Sequence, residues 1–385
     1  MRPIVALTLL ASSALASALP ACSSASSTGF LADDGGSGSG GSSGGSSGGS
    51  SGSSSGFNSS DGGLLGDGAT GSSSGGGDGG TTVTYTVYAN TDTALYSVDP
   101  ATNAVTQIGA FTGLPSSGTS TPAVTDLAVD GNGNVYVNTE TAVFKAALPS
   151  GGTGSVALTQ IATITGAGKM YALAFTPAGS LDPSNEILLG GDGTGAVWSI
   201  NTSTGAATNL GNFGADPSNS CTNGSGCVLG LSGDFVFYMD ASNNPTGLAT
   251  IRSCSSTGSG CSADWLAGVD MGALKTAFTS GTPATTGHAL LGGIYGGSST
   301  ALGSGTGYHS VFGLGAWNST IYGFTRASTS TTNPQPASLI TIDTGTGAGA
   351  LVTSSFNFTK GGWSGAGVST KVTVHAPPPP PPPAQ

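Results

Sequence analysis

Through the middle of the chain, apolar residues come in short β-rich runs punctuated by Gly, Asn, Asp and Ser. That pattern predicts strands joined by tight turns. The stretch "ALYSVDPATNAVTQIG" (94–109) reads as strand, turn, strand, and "AVWSINTSTGAATNLG" (196–211) repeats it without a gap. Tyr96 aligns with Trp198, Val98 with Ile200, Thr102 with Thr204 and Ile108 with Leu210. The Asp or Asn opening each turn can hydrogen-bond its own backbone, and Pro100 fixes φ at the next position. A third copy stands at 338–352, with Asp343 opening the turn, and a looser one begins at 142. One segment, "ADWLAGVDMGALKTAF" (263–278), has helical periodicity and is expected to be a helix.

The spacing of the copies implies an architecture. They begin near 94, 142, 196 and 338, at intervals of 48, 54 and 142 residues. The long interval leaves room for two degenerate copies, filled by "GLATIRS" (247–253) and "HALLGGIYGG" (288–297). Units of about 40–50 residues with several strands each are the signature of β-propellers. The expectation is an all-β chain forming a β-propeller of six four-stranded blades, with five to seven fitting the same spacing. Runs such as "TDLAVDGNGNVYVNT" (125–139) supply a small-residue inner strand and an aliphatic–aromatic second strand. The first unit starts at its second strand, "TYTVYANTD" (84–92), whereas the chain ends on an orphan inner-type strand, "WSGAGVSTKV" (363–372). One blade built from both termini would close the ring and leave no unpaired edge inside it.

Composition bears on compartment and partners. The 385-residue chain has 68 glycines, a net charge of −11 and only 8 Lys and Arg, which excludes a nucleic-acid binder. The apolar run Ile4–Leu19 is too short to span a bilayer and fits the core of a signal peptide. Cleavage could follow "ASA" (16–18), or it could precede Cys22 in "LPAC" (19–22), which resembles a bacterial lipobox apart from Pro20. The five cysteines favour the second cut, because lipidating Cys22 leaves an even set of four for disulfides. The expected organisation is a lipoprotein signal peptide (1–21), a Gly/Ser-rich tether (22–81), the propeller (82–374) and a Pro-rich tail (375–385). A Gly/Ser tether of that length is a coil reaching about 40 Å, and Pro377–Pro383 form a polyproline II rod about 20 Å long.

With "LYSVDPATNAVTQIG" and "WSGAGV" in its body and this leader, the sequence resembles the propeller-repeat lipoproteins of Gram-negative bacteria. The resemblance implies an outer-membrane lipoprotein, periplasmic or surface-exposed, with Ser23 after the lipidated cysteine favouring that membrane. It implies no activity, since propellers host both enzymes and binders.

Candidate chemistry is sparse. Cys221 and Cys227, and Cys254 and Cys261, each bracket a Gly/Ser loop and are expected to pair locally, on opposite faces of the propeller; neither has metal-ligand spacing. "DGNGN" (130–134) starts like a calcium loop but lacks a distal acid and reads as a hairpin turn, and "GGDGTG" (190–195) is likewise a turn. His288, His309 and His375 form no triad-like pattern. No catalytic residue, metal site or cofactor is expected. Asp126, Lys169, Tyr171 and Trp317, at or near inner strands and crossing loops, form the candidate contact set. The reading is a monomeric, membrane-anchored binding or scaffolding module for a polysaccharide or surface protein. The competing reading is a propeller hydrolase or lyase with an axial calcium or quinone site.

Overall fold

A computed structural model describes residues 86–375 and Pro380, apart from 117–120, 220, 222–225, 256–260, 288, 299–301, 328–333, 357 and 359–360. The expected leader, Cys22, the tether and His288 lie outside the described residues, as does the tail beyond His375 except for Pro380. The chain is all-β, with a single short helix among those residues. Strands β1 (Val87–Thr91), β2 (Ala94–Asp99) and β3 (Ala104–Thr112) form an antiparallel set with β20 (Trp363–Gly367), in the order β20-β1-β2-β3. The second set is β4 (Asp126–Val129), β5 (Val135–Thr139), β6 (Ala142–Ala147) and β7 (Val156–Thr163). The third is β8 (Ala172–Thr176), β9 (Ile187–Gly191), β10 (Ala196–Ile200) and β11 (Ala207–Asn212). The fourth is β12 (Cys227–Asp240), β13 (Pro245–Ser255), β14 (Trp265–Val269) and β15 (Leu291–Ile294), with α1 (Met271–Ser280) between its last two strands. The fifth is β16 (Val311–Trp317), β17 (Thr320–Thr325), β18 (Ser338–Ile342) and β19 (Gly349–Thr353). The first strands of the five sets stand face to face in a ring: β4 on β8, then β12, β16, β20 and β4 again.

Local chemistry explains the repeated hairpins. Asp99 accepts the Ala101 amide, Asn201 those of Ser203 and Thr204, and Asp343 those of Gly345 and Thr346. Each of these three outer hairpins, and the β6–β7 hairpin, also carries a one-residue bulge, at Ile108, Leu210, Val352 and Ile161. A bulge leaves one residue unpaired and sharpens the local twist; here that residue is always aliphatic, and Ile108 and Leu210 are buried. The bulges also let neighbouring sets meet edge to edge. β3 pairs parallel with β7 at Phe111 and Val156, and Gly211 bridges to Ala284 beside the next set. A Cβ on Gly109 would overlap the Gly154 carbonyl at such a junction, so a side chain has no room there.

Closure comes from the two ends of the body. β20 pairs antiparallel with β1, Tyr88 opposite Gly367, Ala89 opposite Ala366 and Asn90 opposite Gly365. Trp363 is fully buried and packs edge-on against Tyr96, Phe324, Phe356 and Phe358, with ring centroids 5.1, 5.4, 5.0 and 4.7 Å away. Its cage thus draws rings from the first set, the fifth set and the segment leading into β20. Arg326 adds a two-pronged ion pair with Asp92, at 2.8 and 3.0 Å, and Ser364 donates to Asp92 at 2.5 Å. Bidentate geometry makes such a pair directional as well as attractive.

Three expectations need correction. Among the described residues the strands fall into five sets of four, the fourth joined by a short fifth strand, β21 (Thr373–Val374), parallel to β12; six sets were expected, with five to seven fitting the spacing. "GLATIRS" lies in β13 and "HALLGGIYGG" reaches β15, so both belong to the fourth set. That set is lengthened by its long β12–β13 pair and by α1, which stretched the spacing enough to mimic an extra unit. The helix is shorter than 263–278: Trp265–Val269 is strand, buried throughout, and Asp270 caps α1 by accepting the Ala273 amide at 2.9 Å. An N-cap side chain takes up an amide that the first helical turn leaves unbonded. The disulfides join Cys221 to Cys227 and Cys254 to Cys261. They lie at the same end of the fourth set rather than on opposite faces, because Cys227 is opposite Ser255 and Val228 opposite Cys254.

Candidate functional site

The ring of inner strands brings one backbone position from each set to a common axis. Asp126, Ala172, Asp234, Gly313 and Gly365 occupy it, and the next residue in each strand points its amide at the two carboxyl groups. Leu127 donates to Asp126 Oδ1 at 2.7 Å and Leu173 to Oδ2 at 2.6 Å. Phe235 donates to Asp234 Oδ1 at 2.6 Å, Leu314 to Oδ2 at 2.7 Å, and Ala366 also donates to Asp234. The two carboxyl groups hydrogen-bond to each other as well. Five amides from five sets therefore converge on two side chains. At the level of the two aspartates the inner edges of these strands have no ladder partner, and a buried amide left without an acceptor is costly.

Small residues at the other three positions make the arrangement possible. A Cβ on Gly365 would overlap Asp126 Oδ1 and stand 2.6 Å from the Asp126 Cα, while one on Gly313 would come within 2.7 Å of the Ala366 nitrogen. Both aspartates are fully buried. Burial, and then the charge of Asp234, push Asp126 well above the usual carboxylate range. Burial raises Asp234 too, opposed by the hydrogen bonds it accepts from Asp126 and from the amides. Two carboxylates in contact away from water cannot both ionise cheaply.

Above this plug, the starts of β4, β8, β16 and β20 meet in a shallow funnel of about 260 Å³, open mouth included. Asp92, Thr125, Tyr171, Phe312, Arg326 and Ser364 contribute to its wall. Tyr171 donates to Glu140 at 3.4 Å, and Lys169 pairs with the same carboxylate at 2.9 Å. Burial, then the negative charge of Glu140, push the Tyr171 phenol above its ordinary value. Below the plug the axis is lined by apolar side chains, among them Val129, Phe175, Val236 and Val368.

The four sequence-proposed contact residues are therefore not one surface. Asp126 lies beneath the funnel, next in sequence to Thr125 of its wall, and is fully buried. Tyr171 is in its wall, Lys169 stands on an exposed loop nearby, and Trp317 is at the far end of β16, half-buried against the core. Asp234, Asp92 and Arg326 were missed. Asp234 carried a signal: "GDFVFYM" opens on an acid before an apolar strand, as "TDLAVD" does. "DGNGN" is the hairpin turn expected, with Asp130 accepting from the amides of Asn132 and Asn134. Asp192 likewise accepts from Thr194 and Ala196 in its own turn. Among the described residues, no three or more His, Cys, Asp or Glu side chains group in a way that could hold a metal ion.

No protein-family model matches the sequence, and no curated protein is detectably similar to it. Several solved structures overlay on it weakly. A protein of unknown function from Bacteroides caccae is 7 % identical over 74 % of this chain and 98 % of its own, with a TM-score of 0.33. A protein described under the de novo evolutionary emergence of a symmetrical protein is 14 % identical over 73 % and 93 %, with a TM-score of 0.32. The computationally designed protein Ika8 is 11 % identical over 71 % of this chain, with a TM-score of 0.28, and this chain spans 59 % of its length.

Proposed function

We propose that the five sets are the blades of a five-bladed β-propeller that acts as a binding or scaffolding module, not as an enzyme. In this reading the module is a monomer held at an outer membrane by a lipid on Cys22, with the Gly/Ser tether spacing it from the surface. Two disulfides suit an oxidising, extracytoplasmic compartment. The observation that carries the reading is the self-filled axis. The position where a propeller enzyme would hold an axial group is taken by Asp126 and Asp234, whose oxygens already accept amides.

An axial calcium or quinone does not fit these residues. A cation would meet amide hydrogens and carboxyl oxygens already engaged, and the funnel above is too shallow to enclose a quinone. The rim, with the exposed Lys169 above the part-buried pair of Asp92 and Arg326, instead offers polar groups to a polysaccharide or a surface protein.

Palmitate labelling, membrane fractionation and pull-down of envelope material test this in one series. Wild type is expected to be labelled, to sediment with membranes and to retain an envelope polysaccharide or surface protein. Cys22→Ser is expected to lose the label and the membrane while keeping the retained component. An unlabelled, soluble wild type would contradict the anchor, and retention by neither form would contradict the binding module.

A further inference from the structure

We propose that Asp126 and Asp234 hold one proton between them and serve as a proton-dependent clasp, which fastens the ring of five inner strands at its axis and loosens as the pH rises. The geometry needs that proton. Each carboxyl group uses both oxygens to accept amides, and the two groups also meet each other. Two acceptors can share a hydrogen bond only if one carries hydrogen. One of the two therefore carries it.

Nothing charged on the packed strands substitutes for the proton. Apart from β13, whose Thr250 accepts the Asp234 amide at 3.3 Å, the strands around Asp126 and Asp234 are β1, β4, β5, β8, β12, β16 and β20. The other titratable side chains on these strands are Tyr88, Tyr136, Tyr238, Asp240 and the disulfide-bonded Cys227. None contributes to the state of either aspartate, and these seven strands contain no Lys, Arg or His. On β13, behind β12, the charge of Arg252 acts on Asp264. Asp92 and Arg326 pair with each other in the funnel above. The clasp is thus isolated from the remaining charges of the molecule.

The direction of the pH effect follows from linkage. The folded chain keeps the proton at pH values where the unfolded chain, with ordinary carboxylates, has released it. The contribution of the clasp is complete below the ordinary carboxylate range and is lost as pH rises through the titration of the folded pair. Over that window the folding equilibrium constant falls about tenfold per pH unit for each proton that separates the two states.

Infrared spectroscopy of the full chain, together with denaturant unfolding across pH, tests the proposal. Wild type is expected to show a protonated-carboxyl carbonyl band at pH 7 and to lose stability with pH at a slope of about one proton. Asp126→Asn, whose amide donates without titrating, should lose both the band and that slope. Asp264→Asn is the control, since Asp264 is also buried and raised, and it should keep both. The wild-type band does not depend on any variant folding. Its absence at pH 7 would overturn the proposal, as would a band that disappears in Asp264→Asn but survives in Asp126→Asn.

Discussion

Replacing Trp363 with alanine is expected to remove about 3–5 kcal/mol of folding stability, read from the denaturant midpoint at unchanged slope. The indole is fully buried, and four aromatic rings stand within 5.4 Å of its centroid. A small-residue inner strand such as Trp-Ser-Gly-Ala-Gly cannot anchor itself by side-chain volume, so the one large residue at its start carries that task. The loss should exceed that of Trp317→Ala, because Trp317 is only partly buried and lies at a strand end. If the two variants lost equal stability, the aromatic cage would not be what fastens β20.

Replacing Asp234 with alanine is the second large effect. It leaves the amides of Phe235 and Leu314 without their acceptor, and Ala366 loses one as well. A buried polar group left unpaired costs about 1–3 kcal/mol, so the amides of Phe235 and Leu314 alone put the expected loss at about 2–6 kcal/mol. Asp234→Asn should cost less, because its carbonyl oxygen still accepts one of these bonds. Measured side by side by urea unfolding, alanine must be the worse of the two. The reverse order would show that volume, not amide acceptance, matters at the axis.

The hairpin repeat was legible because Asp99, Asn201 and Asp343 open the same side-chain-bonded turn in three of its four copies. Closure by the two ends was legible for a similar reason. A Gly-Ala strand with no partner in sequence, and a first unit missing such a strand, define each other. The number of units was not legible. Sequence spacing counts residues, and the fourth set contains a long hairpin, two disulfide loops and α1 that add residues without adding a strand set.

The site was harder to read. Asp126 reads in the sequence as a polar residue near a crossing loop, which suggests a surface contact. Its burial arises only when strands from five sets crowd together, and its partners, Leu173 and Asp234, are far along the chain. Lys169 and Tyr171 fell near the funnel because they immediately precede an inner strand. Trp317 did not, because it ends one. At about 3.3 Å per residue, the length of β16 separates it from the funnel by roughly 20 Å.

Amide hydrogen exchange at five residues tests the central claim most directly. If the ring is closed by its two ends and held at the axis by two carboxyl groups, Leu127, Leu173, Phe235, Leu314 and Ala366 should all exchange with the slowest class of amides, at the rate of global unfolding. Ala366 exchanging orders of magnitude faster than Leu173 would mean that β20 comes and goes independently, and the closed ring would be contradicted.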